Sequence, residues 1–189
     1  MTWPEKISVN TLTHHCITLL AIFSFGIAGA VSQDAKGKSL TDRPNMRLKI
    51  KLFTRWTEQT TTNGPATFCR QQSNNPLQVS WAEYRGKKPL DDVSTDKLKE
   101  TATAFGQKNN FGELVESSGG KCAFGKYGTS VFHSEKHARI QVWFITDGTD
   151  YILATHICSK EPDAVEVRET KEIVSMLTLG PEKPSTSKN

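Results

Sequence analysis

Arg139-Ile-Gln-Val-Trp-Phe-Ile-Thr146 is followed by a short loop holding Asp147-Gly148, and then by Tyr151-Ile-Leu-Ala-Thr-His-Ile-Cys158. β-Branched and aromatic side chains suit a pleated, packed surface. Asp-Gly supplies the positive φ that tight hairpin turns require. The two runs therefore read as a β-hairpin. Both are apolar on both faces, which places the hairpin at the centre of a sheet covered on each side. Trp143, set between Val142 and Phe144, is expected to be buried.

Working outward, the upstream chain alternates. In Arg47-Leu-Lys-Ile-Lys-Leu-Phe53 the positions Leu48, Ile50 and Leu52 share one face, as in a half-buried strand. Thr57–Gly64 reads as a polar loop, Thr67–Arg70 as a short strand and Ser73–Pro76 as a turn. Leu77–Tyr84 alternates with Leu77, Val79 and Trp81 inward, so Trp81 is also expected to be buried. A loop follows over Arg85–Asp92. The period then changes: Ser94 or Thr95 caps a helix, and Leu98, Ala102 and Phe105 form its apolar stripe. Gly106 and Asn109-Asn110 end it. Phe111–Glu116 reads as a strand, Ser117–Gly120 as a turn, and Lys121–His133 as a longer strand. Gly125 and Gly128 inside that strand suggest a bulge or something packed close to the backbone. His133–His137 is a loop. After the hairpin, Pro162 opens a second helix with Val167, Thr170, Ile173, Val174 and Leu177 as its buried stripe, and Gly180-Pro181 stops it. The fold class is α+β: a largely antiparallel central sheet of about six to seven strands with one helix packed on each face.

The chain has 189 residues, 36% hydrophobic and 23% charged, which suits one globular domain and excludes a fibrous or wholly disordered chain. That domain is assigned to residues 47–179. Residues 33–46 are a polar, flexible leader and 180–189 a disordered tail. Residues 1–32 read as a signal peptide. No charged residue lies between Lys6 and Asp34, and the apolar run from Cys16 ends in Ala28-Gly-Ala-Val-Ser32. That ending fits cleavage near Ala30 or Ser32. The alternative is an uncleaved membrane anchor, although the run is at the short limit for spanning ~30 Å of hydrocarbon. In both cases the domain sits outside the cytoplasm, periplasmic or secreted, and meets a membrane only through an uncleaved signal.

Cleavage removes Cys16 and leaves Cys69, Cys122 and Cys158 as disulfide candidates. Three is odd, so one internal bridge and one leftover thiol are expected, or an intermolecular bridge. In a meander Cys122 and Cys158 lie at opposite ends of the sheet, so Cys69 is the expected partner of one of them, with a lean to Cys122. The net charge is +4, concentrated around Lys36–Arg55. No aromatic platforms are interleaved with it, which argues against nucleic acid.

Several features taken together resemble the PsbP-like superfamily, which includes PsbP, Mog and DcrB-like proteins. They are the Trp after the first strand (Arg55-Trp56), the helix, the Gly-rich strand, "QVWFIT", "ILATHIC" and the final helix ending "IVSMLTL". The likeness spans residues 47–179. It implies an α/β/α sandwich that works by binding, with no shared catalytic residues to carry over.

The candidate chemistry is sparse. His133-x-x-x-His137 with Glu135 has helical metal-ligand spacing, but it lies between strands, where i and i+4 diverge, so no metal is expected there. His156 and Cys158 share one strand face at i and i+2. A Cys–His dyad needs a third, orienting group, and the sequence identifies none. Glu113 and Glu116 are placed on opposite strand faces. With no P-loop and no G-x-G-x-x-G, no cofactor is expected. The resulting expectation is a non-catalytic extracytoplasmic domain that binds a protein or peptide, an inhibitor or immunity factor being one form. The alternative is a small secreted hydrolase using His156, His133 or His137.

Overall fold

A computed structural model describes residues 48–59, 64–83 and 93–180. The signal peptide, the leader, the tail beyond Gly180 and the Arg85–Asp92 loop lie outside the described residues. The strands are β1 (Leu48–Lys49), β2 (Trp56–Gln59), β3 (Ala66–Arg70), β4 (Pro76–Glu83), β5 (Glu113–Lys121), β6 (Lys126–His133), β7 (Arg139–Thr146), β8 (Asp150–Cys158) and β9 (Thr178–Leu179). The helices are α1 (Thr95–Lys108), between β4 and β5, and α2 (Ala164–Ser175), between β8 and β9.

The main sheet has seven strands in the order β2-β3-β4-β8-β7-β6-β5, all neighbours antiparallel. The β7–β8 hairpin forms its centre, as two doubly apolar strands require. Gly148 in the turn has φ +97°. Thr149 and Asp150 donate their backbone N–H groups to Asp147 Oδ1, each at 2.8 Å. One helix covers each face, the architecture that the PsbP-like resemblance implies.

Under α1 lies a core of Leu98, Ala102, Phe105, Phe111, Phe132, Ile140, Val142 and Phe144. Under α2 lies a second core that includes Trp56, Phe68, Leu77, Val79, Trp143, Ile152 and Ile173. Trp143 is 3% exposed. Trp81 is only partly buried, packed on the edge of the α2-side core, and its indole nitrogen has no hydrogen-bond partner. Helix α1 starts where Ser94 Oγ accepts from Lys97 N at 3.1 Å. Helix α2 starts where Asp163 Oδ1 accepts from Glu166 N at 2.7 Å.

Four element boundaries also depart from the sequence reading. Of the described part of the first predicted strand, 48–53, Leu48–Lys49 is strand, and it pairs with β9 in a separate two-stranded sheet. Thr57–Gln59, read as loop, belongs to the edge strand β2. Its polar, exposed residues carry no alternation to reveal it.

Ser117–Gly120, read as a turn, lies inside β5, and the reversal falls at Cys122–Gly125, where Cys122 N donates to Gly125 O at 2.7 Å. Those small residues serve packing instead. A Cβ on Gly119 would meet Thr95 and the Tyr127 carbonyl, and one on Gly128 would run into the Leu98–Lys99 backbone of α1. Finally, Val167 is only half-buried, and the α2 stripe begins instead with Glu166 and Glu169, buried with Thr170, Ile173 and Val174.

Candidate functional site

The polar end of the sheet is built where β8 finishes and α2 begins. Alternation along β8 puts His156 and Cys158 on the face that α2 covers, and the first turns of α2 add Glu166 and Glu169. The β3–β4 connection contributes Ser73 and Asn75.

Glu166 Oε1 accepts from Ser73 Oγ at 2.9 Å and from Asn75 Nδ2 at 3.1 Å, and it lies 3.3 Å from His156 Nε2. Burial pushes the Glu166 carboxyl up, but the hydrogen bonds from His156, Ser73 and Asn75 outweigh it and hold the group below the usual carboxylate range. Glu169 takes Arg55 Nη2 at 2.7 Å, Arg70 Nε at 3.4 Å and the Trp56 Nε1–H at 3.0 Å. Arg70 Nη1 reaches Asp163 Oδ2 at 2.6 Å, bridging β3 to the start of α2. The backbone N–H of Glu166 and then Arg70 hold the Asp163 carboxyl below its ordinary range.

Sequence reasoning missed Glu166 as the third group beside His156 and Cys158. A signal was present: Glu166, Glu169, Thr170 and Ile173 fall at i, i+3, i+4 and i+7, so extending the buried stripe one turn back reaches both carboxylates.

The trio has the membership of a nucleophilic triad but not its arrangement. Cys158 Sγ lies 3.5 Å from His156 Nδ1 and 3.7 Å from Nε2. The two ring nitrogens point in different directions, so a sulfur almost equidistant from both lies on neither lone-pair axis. Cys158 is 0% exposed. Burial, then the Glu166 charge, pushes its thiol up to about 12. Such a thiol is held as a neutral packed group at neutral pH.

Beside the trio opens a cleft of about 750 Å³. Arg55, Arg70, Ser73, Asn75 and Asp163 line it, with Glu166 at the side nearest His156. It presents both charge signs and several amides.

The three described cysteines are free thiols. Cys69 pairs in register with Pro76, and Leu77 with His156, so Cys69 and Cys158 sit toward the same end of the sheet. Cys122 lies at the other end, lining a separate cavity of about 490 Å³ with Thr146 and Gly148. The Cys69–Cys122 pairing therefore spans the length of the sheet, whereas bridged Cα atoms sit ~4.4–6.8 Å apart.

In the loop after β6, a ring nitrogen of His133 bonds the Ala138 carbonyl at 2.9 Å. His133 and Glu135 are exposed, and His137 is half-buried. Among the described residues, the side chains that converge as possible metal ligands are His156, Cys158 and Glu166. A bulge between Leu114 and Glu116 registers Glu113 with His133 and Glu116 with Val131, which puts both carboxylates on one face rather than two.

No protein-family model and no curated protein matches the chain. Among solved structures it is similar to a protein from Bacteroides thetaiotaomicron (TM-score 0.44, 13% identity, 72% of this chain). The chain spans about half of that protein, 46% of its length. It is also similar to a cyanobacterial PsbP (CyanoP) from Synechocystis (TM-score 0.49, 13% identity, 84% of this chain and 99% of that one). A third is LpqN, involved in cell envelope biogenesis of Mycobacterium tuberculosis (TM-score 0.49, 9% identity, 71% of this chain and 83% of that one).

Proposed function

We propose that this chain is an extracytoplasmic binding domain that acts without catalysis, and that its ligand is a protein or peptide segment seated in the cleft beside α2. The observation that carries the reading is the contrast within one site. The Cys158 thiol is sealed in the core, while the adjoining cleft offers solvent-facing guanidinium, carboxylate and amide groups. A peptide backbone with charged side chains supplies complementary donors and acceptors. The apolar N-terminal run supports the location, and an inhibitor or immunity factor is one form such a protein takes.

The test is capture from extracytoplasmic extract with the wild-type domain and with Asn74→Arg, a change on the exposed wall of the cleft. A saturable partner that the variant loses supports the reading. If no saturable partner is recovered, or if both proteins bind it equally, the cleft is not the site.

One observation favours the second reading, a small secreted hydrolase: Glu166 stands where an orienting group would. A hydrolase screen of wild type against His156→Ala decides it, and absence of activity in both removes it.

A further inference from the structure

We propose that His156, Cys158 and Glu166 form a binding site for a divalent cation of the zinc type, with the fourth coordination position facing the cleft. One nitrogen, one sulfur and one oxygen donor from these side chains lie within 4.8 Å of one another, all on buried residues. A mixed nitrogen, thiolate and carboxylate set is a borderline-soft set, which suits zinc better than magnesium or calcium.

Two of the three donor separations also fit. Metal–ligand lengths of ~2.0–2.3 Å in a tetrahedron put neighbouring ligand atoms about 3.3–3.6 Å apart. Here His156 Nε2 is 3.3 Å from Glu166 Oε1 and 3.7 Å from Cys158 Sγ. A cation seated between Nε2 and the carboxylate draws the sulfur off the ring, a rotation of one short side chain.

The surroundings are those of a ligand shell. Ser73 and Asn75 both donate to Glu166 Oε1 and fix its orientation, as outer partners do for ligating carboxylates. Arg70 Nη1 lies 4.0 Å from the other oxygen, Oε2, beyond hydrogen-bond reach, so Oε2 keeps lone pairs that a cation can take. Glu166 and Ser73 line the cleft, so a cation can enter from there and a water or an incoming ligand atom can complete the tetrahedron. The charge balances: a thiolate and a carboxylate neutralise a dication, which a buried site needs. On binding, the Cys158 thiol loses its proton to solvent as the S–metal bond forms. The Nε2 proton that His156 directs at Glu166 leaves to solvent as the N–metal bond forms, and the ligating ring carries its proton on Nδ1.

The proposal shares the Glu166 side of the cleft with the binding reading and is tested separately from it. The full chain is stripped with chelator, then titrated with zinc by equilibrium dialysis and with cobalt by absorption spectroscopy. The expected result is one metal per chain, a thiolate-to-cobalt charge-transfer band, and a Tm that falls on chelation and returns with zinc. The band is expected to vanish in Cys158→Ser and to persist in Cys16→Ser, Cys69→Ser and Cys122→Ser. Asn75→Ala, which leaves all three ligands in place, is expected to weaken zinc about 10–100-fold. The wild-type spectrum needs no variant to fold. The proposal is overturned if the wild type shows no charge-transfer band, if the band survives in Cys158→Ser, or if zinc raises the Tm of wild type and His156→Ala equally.

Discussion

The two faces of the central sheet are covered by different means. Helix α1 is seated by shape. Its buried residues are Leu98, Ala102, Phe105 and Gly106, and it packs onto strands thinned to Gly119 and Gly128 beneath it. Phe105 meets Phe111 and Phe144 edge-on, with centroids 5.8 and 5.5 Å away. Helix α2 has an apolar C-terminal half, but its N-terminal half buries Glu166 and Glu169, and ion pairs to Arg55 and Arg70 tie it to the neighbourhood of β2 and β3. One helix is positioned by volume with a single hydroxyl contact, Thr103 Oγ1 to Ser130 Oγ at 2.8 Å, the other by volume at one end and charge at the other. Among the described residues it is the second that buries carboxylates, and the candidate site lies there.

The largest expected effects test the shared premise that both faces are packed cores. Phe105→Ala under α1 and Trp143→Ala under α2 should each cost ~3–5 kcal/mol, read as the shift of a urea or thermal midpoint. A wild-type melt for either would remove that face from the comparison.

Gly128→Val should come next. Its side chain has no room before the α1 backbone, so a cost of at least ~1–3 kcal/mol is expected. Tolerance of valine would show that α1 is not held by close approach.

On the other face, Glu169→Gln keeps the volume but removes the anion facing Arg55 and Arg70. A loss of about 1.5–3 kcal/mol is expected, with little change if the pairs are ornamental.

A subtler separation comes from acid. The Glu166 carboxyl is held low in the folded state, so its contribution is present above the ordinary carboxylate pKa of ~4.3 and is lost as pH falls through the lower folded value. Thermal midpoints measured down from pH 5 should therefore drop less steeply in Glu166→Gln than in wild type. Parallel curves would mean that the hydrogen bonds to Glu166 contribute nothing to stability.

The smallest effect belongs to the outer edge. Val115 is 65% exposed at the β5 bulge, and Val115→Thr should change stability by no more than about 0.5 kcal/mol.

The same contrast explains what the sequence discloses. Elements defined by apolar period are legible: the β7–β8 hairpin, the Leu98/Ala102/Phe105 stripe, the Ser94 cap and the close approach at Gly128. Elements defined by polarity in an unusual place are not. The polar β2 looks like a loop. Ser117-Ser-Gly-Gly120 has the composition of a turn, because the residues that let a helix press on a strand are also the residues that let a chain reverse. Glu166 and Glu169 look like a solvated helix face until Arg55, Arg70, Trp56, Ser73 and Asn75, brought in from distant segments, show what they bond. His156 and Cys158 can be placed on one face from their spacing, but their third partner comes from the next element, where strand alternation gives no guidance.

The pairing of β1 with β9 constrains the order of assembly. Leu48, 0% exposed, is matched with Leu179 across the two-stranded clasp. During synthesis β1 leaves the ribosome among the first residues of the domain, and its partner among the last. Leu48 therefore waits, unpaired, until the whole domain has emerged. The β7–β8 hairpin and α1 can consolidate early through contacts close in sequence, whereas the clasp is a latch that shuts only on a finished chain. A chain cut short before Thr178 leaves that latch open, with an apolar strand end exposed for a quality-control protease or chaperone to recognise.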